Sequence, residues 1–176
     1  MPDETATVIK KMKRSEFATF LNTSPSATTP KFDRMGKGVT GQTVSYNPTV
    51  NTEQYIHEDS ATNSVEAYAP SINTPQTCYV GEPVFEYIDG LRRKRAIGAD
   101  AETDILLVYI YKKSGETAYE AEKCRCAISI EDFGGDAGNP ASITYTINMN
   151  GDPEIGTATI TDGSVNFTKG TATAEQ

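Results

Sequence analysis

Residues 142–149 read S-I-T-Y-T-I-N-M, and this stretch decides the fold class because its apolar and polar side chains alternate. Ile143, Tyr145, Ile147 and Met149 fall on one face of an extended chain, and the residues between them are polar. Alternation with a period of two is typical of a half-buried β-strand. The stretch therefore predicts an antiparallel strand with one face in a core.

Further strands and turns follow on the carboxyl side. The Asn-Gly pair at residues 150–151 predicts a hairpin turn, and residues 155–161 continue as strand. The Asp-Gly pair at residues 162–163 predicts a second tight turn, after which Val165 and Phe167 point inward. This part of the chain is therefore expected to form a meander.

Two upstream segments predict longer strands. Residues 123–130 alternate between polar or small residues and an apolar set that includes Cys124 and Cys126. Residues 103–111 are apolar on both faces, which is typical of a central strand. Shorter strands are expected around residues 17–20, 43–46, 53–57 and 65–68.

One amphipathic helix is predicted over residues 83–95. Pro83 suits the first helical turn, and Gly98 is expected to stop the helix. The predicted core face consists of Val84, Phe85, Ile88 and Leu91. The expected fold is therefore mainly β and antiparallel, with one α-helix that closes one side of the sheet.

Two turn-rich segments separate the short strands of the amino-terminal half. Residues 22–30 read N-T-S-P-S-A-T-T-P and residues 36–41 read G-K-G-V-T-G. Loops of this length in a compact domain are usually functional or become ordered against a partner. The candidate assembly residues in and beside them are Thr23, Ser24, Pro25, Lys37, Gly38, Thr40, Gln42 and Thr43. The chain is expected to form a single domain, residues 1–176, with a core over about 5–168 and a flexible tail over 169–176.

Composition excludes several functional classes. The 176 residues carry a formal charge of −8, which argues against general binding to nucleic-acid phosphates. No stretch approaches the roughly 20 apolar residues that span a bilayer, and the first residues lack a signal-peptide core, so synthesis in the cytoplasm is expected. The odd number of cysteines, three, disfavours a disulfide framework.

Catalytic, cofactor and metal sites are not indicated. His57 is the sole histidine, so a triad would need it, but no G-x-S-x-G elbow accompanies it. The spacing Cys124-x-Cys126 lacks the second ligand pair of a zinc site. The acidic residues at 100–104 lack the glycine and the final glutamate of a calcium loop, and Gly-Gly at 134–135 is interpreted as part of a hairpin loop.

Several segments, taken in order, resemble the major tail tube proteins of long, non-contractile (siphovirus-type) phage tails. They are E-Q-Y-I-H-E at 53–58, S-V-E-A-Y-A-P-S at 64–71, G-E-P-V-F-E-Y-I at 81–88, L-R-R at 91–93, G-A-D-A at 98–101 with the following strand that holds Leu106 and Val108, N-G-D-P at 150–153 and I-G-T at 155–157. The similarity spans roughly residues 53–168. It implies an antiparallel β-sandwich or barrel with one flanking α-helix. It also implies a virion structural protein whose hexameric rings stack into the tail tube through which DNA passes to the host.

The resemblance also implies partners: other copies of the chain, a tape measure protein, a tail terminator and distal tail or baseplate proteins. Exposed strand edges and mobile connectors are expected to be completed by sister subunits. Six copies, each with a charge of −8, would carry about −48 per ring, which would let DNA slide without adhering.

Two other functional classes remain open at this point. The chain is alternatively a β-sandwich binding module, such as a virion decoration or adhesin, that recognises glycan or protein through a platform of Tyr46, Tyr55 and Tyr68. An enzyme that depends on His57 is a more distant third.

Overall fold

The structure, a computed structural model, describes residues 9–170. Its helix α1 spans Pro83–Lys94, and single turns of 3-10 helix span Arg14–Glu16 and Gly98–Ala101. The strands are β1 Phe17–Asn22, β2 Phe32–Arg34, β3 Thr43–Ser45, β4 Pro48–Glu53, β5 Thr62–Tyr68, β6 Ser71–Thr77, β7 Glu102–Lys113, β8 Ala118–Gly134, β9 Ser142–Thr161 and β10 Ser164–Lys169. Residues 1–8 and 171–176, parts of the expected core and tail, lie outside the described residues.

Eight strands form one antiparallel sheet in the order β2-β1-β7-β8-β9-β6-β3, and β10 pairs with β9 beside this path. Strands β4 and β5 form a separate two-stranded sheet. Within residues 9–170 the end strands β2 and β3 do not pair with each other, so the sheet is open rather than a closed barrel. The predicted fold class, antiparallel and mainly β with one α-helix, is confirmed.

The long strands β8 and β9 form a hairpin that organises the sheet. Gly134 opposes Ser142 beside the connecting loop, which confirms the interpretation of residues 134–135. The hairpin turn predicted at residues 150–151 is wrong, because β9 runs through it. Lys123 opposes Glu154 and Arg125 opposes Asn150. Between these two pairs, β8 has one residue, Cys124, and β9 has three, residues 151–153. Since β8 pairs with both halves of β9, the Asn-Gly pair is accommodated as a β-bulge, with Gly151 at φ +69°.

The turn at residues 162–163 has the predicted geometry. Asp162 and Gly163 have φ of +49° and +81°, and Thr161 opposes Ser164 across the turn. The positive φ values are those of a tight hairpin connection. Strand β10 ends at Lys169, the residue at which the flexible tail was expected to begin, and the Lys169 ammonium donates to Glu154 Oε1 at 3.0 Å.

Strand β7 is buried on both faces, as predicted for residues 103–111. Ile105 and Leu107 face a core beneath α1, and Leu106 and Val108 face a second core near β2 and β10; all four are at most 2% exposed. The second core comprises Ala18, Phe20, Phe32, Leu106, Val108, Ala121, Ala158 and Val165. The sheet therefore supplies an internal layer between two apolar clusters, which gives it a sandwich-like cross-section.

Helix α1 covers the first core. Glu82 is its N-cap and accepts a hydrogen bond from Phe85 N at 2.6 Å, while Pro83 occupies the first turn. The structure places Val84, Phe85, Ile88 and Leu91 in this core. The helix ends before Gly98, because Arg95 adopts the left-handed conformation (φ +49°) and its N–H donates to Arg92 O.

Candidate assembly surface

The two-stranded sheet, residues 46–70 including its flanks, is called the arm. Pro48 opposes Tyr68 at its base and Glu53 opposes Thr62 near its tip. Every residue of β5 is exposed, and in β4 only Asn51 is half-buried. The strand expected at residues 53–57 is wrong, since β4 ends at Glu53 and the chain reverses there. An isolated pair of strands is marginally stable in water, so the arm has the character of a segment completed by a partner.

The base of the arm is fixed to the main sheet. Asn47, at φ +44°, donates through Nδ2 to Ala69 O at 3.0 Å and to Ser71 Oγ at 3.2 Å. The rings of Tyr46 and Tyr68 meet edge to face, with centroids 6.4 Å apart. Beside them lies a cleft of about 690 Å³, lined by Val44, Tyr46, Pro48, Tyr68, Leu107, Cys124 and Met149, among others. The arm therefore leaves the body at a defined place, next to a largely apolar cleft.

The tip of the arm exposes Tyr55 and Ile56. The Tyr55 hydroxyl donates to Glu53 Oε2 at 2.7 Å, and this bond raises the pKa of Tyr55. The Tyr55 ring stacks on His57 with centroids 6.1 Å apart, and the Ile56 side chain is fully exposed. The tip is thus an ordered turn with one protruding apolar side chain.

The three tyrosines of the alternative binding platform do not lie together. Tyr46 and Tyr68 are at the base of the arm, whereas Tyr55 is at its tip, beyond a strand of six residues. At roughly 3.3 Å per residue the two ends are about 20 Å apart. The expected single platform of three tyrosines is therefore wrong, although the pair Tyr46 and Tyr68 remains beside the cleft.

The loop with candidates Thr23, Ser24 and Pro25 is a closed connection between β1 and β2. Thr23 N donates to Lys31 O at 2.9 Å, and its hydroxyl donates to Asp33 Oδ2 at 2.6 Å. The loop lies beside the end of α1, and together they enclose a cleft of about 860 Å³. These candidates are therefore on the surface and border a depression.

The segment around Lys37, Gly38 and Thr40 covers an edge of the sheet within its own subunit. Gly38 O accepts from Thr77 N at 2.8 Å, and Thr40 N donates to Pro75 O at 3.4 Å. Gly38 has φ +79°, and a Cβ there would lie 2.4 Å from Thr77 O. Lys37 O accepts from Gln76 Nε2 at 3.2 Å. Part of the edge of β6 is thus paired within the same subunit, by a segment that was expected to contact a sister subunit.

Gln42 and Thr43 are also held by their own subunit. Gln42 is 8% exposed; its Oε1 accepts from the Thr19 hydroxyl at 2.6 Å, and its Nε2 donates to the Thr74 hydroxyl at 3.2 Å. Thr43 lies in β3 and opposes Asn73 of β6. Gln42 therefore does not belong to the surface that a partner would contact. In residues 9–170, β4, β5 and β10 each pair with a single strand, so each has one backbone edge without a partner strand.

The residues weighed for catalysis or metal binding are not assembled into a site in the described part of the chain. His57 is exposed and lies 3.5 Å from Glu58 Oε1. Cys124 and Cys126 are buried, and burial raises the pKa of Cys124 to about 11 and of Cys126 to about 12. Among residues 9–170 no three His, Cys, Asp or Glu side chains are grouped to hold a metal ion.

A membrane-spanning helix is likewise not found among residues 9–170, since α1 is neither long nor apolar enough.

No known protein-family profile and no curated protein sequence matches this chain. Solved structures do match. A chain from the tail of an empty GTA particle, obtained by helical refinement with C6 symmetry, has a TM-score of 0.59 at 11% identity, covering 81% of this chain and 97% of that one. Two chains of an extracellular contractile injection system, PVC, in the extended state are more distant.

The chain from the PVC sheath/tube terminator has a TM-score of 0.48 at 11% identity, covering 84% of this chain and 98% of that one. The chain from the PVC sheath–tube complex has a TM-score of 0.47 at 10% identity, covering 87% and 95%. Of these three, the GTA tail chain has the highest TM-score. It shows a shared fold over most of both chains.

Proposed function

We propose that this chain is a structural subunit of a tail tube and that it functions by assembling with copies of itself. The observation that carries the proposal is the arm: two paired strands that leave the body with exposed side chains and unpaired outer edges. Such a segment is stabilised when another molecule covers it. The fold shared with a GTA tail chain supports a tail as the place of assembly.

The finer features of the proposal are hexameric rings that stack into a siphovirus-type tube for genome delivery. The C6 symmetry of the GTA tail supports a six-fold ring. A head-to-tail contact repeated by rotation closes into such a ring. A charge of −8 per subunit suits a bore through which DNA passes without binding. Tape measure, terminator and distal tail proteins are the partners that this role implies.

The test compares the natural chain with an arm-shortened variant. In that variant residues 51–64 are replaced by an Asn-Gly turn, and in a matched control residues 136–139 of the β8–β9 loop are removed. Sedimentation velocity and negative-stain microscopy are expected to show rings or tubes for the natural chain and the control, and monomers for the arm-shortened variant. A natural chain that stays monomeric at high concentration, also with tail partners present, would refute the proposal.

A binding module is the second candidate, because Tyr46 and Tyr68 border the 690 Å³ cleft. It predicts saturable binding of a glycan or protein by the monomer that is lost in Tyr46→Ala or Tyr68→Ala. Glycan-array and titration measurements on the arm-shortened monomer, set beside the natural chain, distinguish the two functions.

A further inference from the structure

The arm is acidic and apolar at once. Residues 46–70 contain four acidic residues, Glu53, Glu58, Asp59 and Glu66, and neither lysine nor arginine. Two of these acids, Glu58 and Asp59, lie two and three residues after the exposed Ile56 at the tip. A surface that receives the tip must therefore offer positive charge together with a place for an apolar side chain.

The carboxyl end of α1 provides positive charge. Arg92 and Arg93 are held by Asp89, with N–O distances of 2.7 Å in each pair. Lys94 and Arg95 continue the basic run and are exposed, and within residues 9–170 neither pairs with a carboxylate. Residues 92–97, at and just after the carboxyl end of α1, are called the helix corner. The helix corner is thus a positive site on a protein whose net charge is −8.

The same corner provides apolar surface and a depression. Ile97 is 82% exposed, and it borders the 860 Å³ cleft between the corner and the loop of Thr23, Ser24 and Pro25. Leu91, Ala96 and Tyr87 also line this cleft. Two acids also line this cleft: Glu102, which pairs with Arg125 at 3.3 Å, and Asp100.

We propose that the arm tip of one copy docks on the helix corner of a neighbouring copy. Ile56 enters the cleft beside Ile97, while Glu58 and Asp59 face Lys94 and Arg95. Because two different surfaces meet, the contact is head-to-tail and can repeat from subunit to subunit. This inference rests on the proposed self-assembly and names the surface that receives the arm.

A second basic segment, residues 10–14, is the competing surface. It carries Lys10, Lys11, Lys13 and Arg14 and an exposed Met12. The helix corner fits the tip better, because Lys10 already lies 3.7 Å from Glu16 Oε1 and the depression beside Arg14 is smaller, about 380 Å³.

Charge reversal tests the contact. The tip variant carries Glu58→Lys and Asp59→Lys, and the corner variant carries Lys94→Glu and Arg95→Asp, since aspartate tolerates the left-handed conformation at position 95. Each variant is expected to need at least about tenfold more protein to assemble, because like charges then face each other. The chain with all four substitutions is expected to assemble near the natural concentration. Lys10→Glu with Lys11→Glu is the matched control and is expected to assemble normally.

Three results would overturn the inference while leaving self-assembly of the natural chain intact. They are a corner variant that assembles normally, a four-substitution chain that stays dispersed, and a Lys10→Glu, Lys11→Glu control that fails to assemble. A natural chain that does not assemble would instead remove the proposed function and this inference together.

A second measurement does not depend on altered charges. A photo-crosslinking amino acid replaces Ile56, and isotope-labelled and unlabelled chains are mixed before assembly so that mass spectrometry identifies links between copies. Links to residues 94–97 of another copy are expected. Links to residues 10–14, or links confined to one copy, would contradict the proposed docking.

Discussion

The hydroxyl of Tyr145 donates a hydrogen bond to Gln76 Oε1 across 3.1 Å inside the sheet. Gln76 Nε2 in turn donates to Lys37 O and, at 3.1 Å, to Glu82 Oε2, the carboxylate oxygen that also caps α1. One buried glutamine thus joins strand β9, the segment that covers the β6 edge and the start of the helix. Burial raises the pKa of Tyr145, so this donor stays protonated across the working pH range.

Replacing Tyr145 with phenylalanine is expected to lower the free energy of unfolding by about 1–3 kcal/mol, because Gln76 Oε1 loses its donor in a buried place. Urea unfolding at a concentration where the chain is monomeric measures the change. Tyr79→Phe is the control and should change stability by less than about 0.5 kcal/mol, since Tyr79 is exposed. Equal losses in the two variants would contradict the network.

Two glycine-to-alanine substitutions are expected to act in opposite directions. A Cβ at Gly156 would lie 2.2 Å from Thr168 O and 2.9 Å from the Phe167 ring, so Gly156→Ala must displace β10 and destabilise by about 1–3 kcal/mol. A Cβ at Gly90, inside α1, meets nothing within 4 Å. Gly90→Ala is therefore expected to stabilise by about 0.5–1 kcal/mol. Thermal unfolding of both variants checks the pair, and a destabilising Gly90→Ala would count against the helix.

The ion pairs of Asp89 predict a pH dependence. Hydrogen bonds from Arg92, with the charges of Arg92 and Arg93, hold the pKa of Asp89 below its ordinary value of 3.8. A lowered folded pKa means that the stabilisation is present above 3.8 and is lost as the pH falls through the folded pKa. Asp89→Asn is expected to lower stability by about 1 kcal/mol at neutral pH. The difference should vanish in acid, whereas Asp136→Asn in the β8–β9 loop should match the natural chain throughout.

The three thiols are expected to differ in reactivity. Burial raises the pKa of Cys124 to about 11 and of Cys126 to about 12, so neither forms appreciable thiolate at pH 8. Cys78 is half-buried. A disulfide-exchange reagent should therefore modify at most one thiol in the folded chain and three in urea. Rapid modification of all three without denaturant would show that the core beneath α1 is open.

Local pattern was sufficient for much of the fold, but it could not distinguish a turn from a bulge. The Asn-Gly pair at 150–151 and the Asp-Gly pair at 162–163 have similar turn chemistry, yet only the second reverses the chain. The difference lies in β8, whose 17 residues pair with both halves of β9 and keep the first pair inside the ladder. Pairing over such a distance along the chain is not encoded in a window of a few residues.

The candidate assembly residues show the same limit. Gln42 is polar and follows a glycine-rich stretch, which favours a surface loop, but its amide is buried between Thr19 and Thr74. The arm was missed as a unit because its exposed residues lack a one-sided apolar pattern, although the resemblance drew attention to residues 53–58 and 64–71. The basic run of residues 92–95 suits the negative end of a helix dipole, which is a local effect, whereas its place beside a cleft depends on the fold.

By itself the sequence determined the antiparallel, mainly β class, the two-sided central strand, the single helix with its apolar face and the absence of a marked catalytic motif, because each depends on the spacing of neighbouring residues. The tertiary structure alone decided which edges are covered, that residues 48–68 stand apart as an arm and that the basic helix end lies beside a cleft. These features depend on contacts between residues far apart in the chain, which arise only when the sheet and its two cores form together.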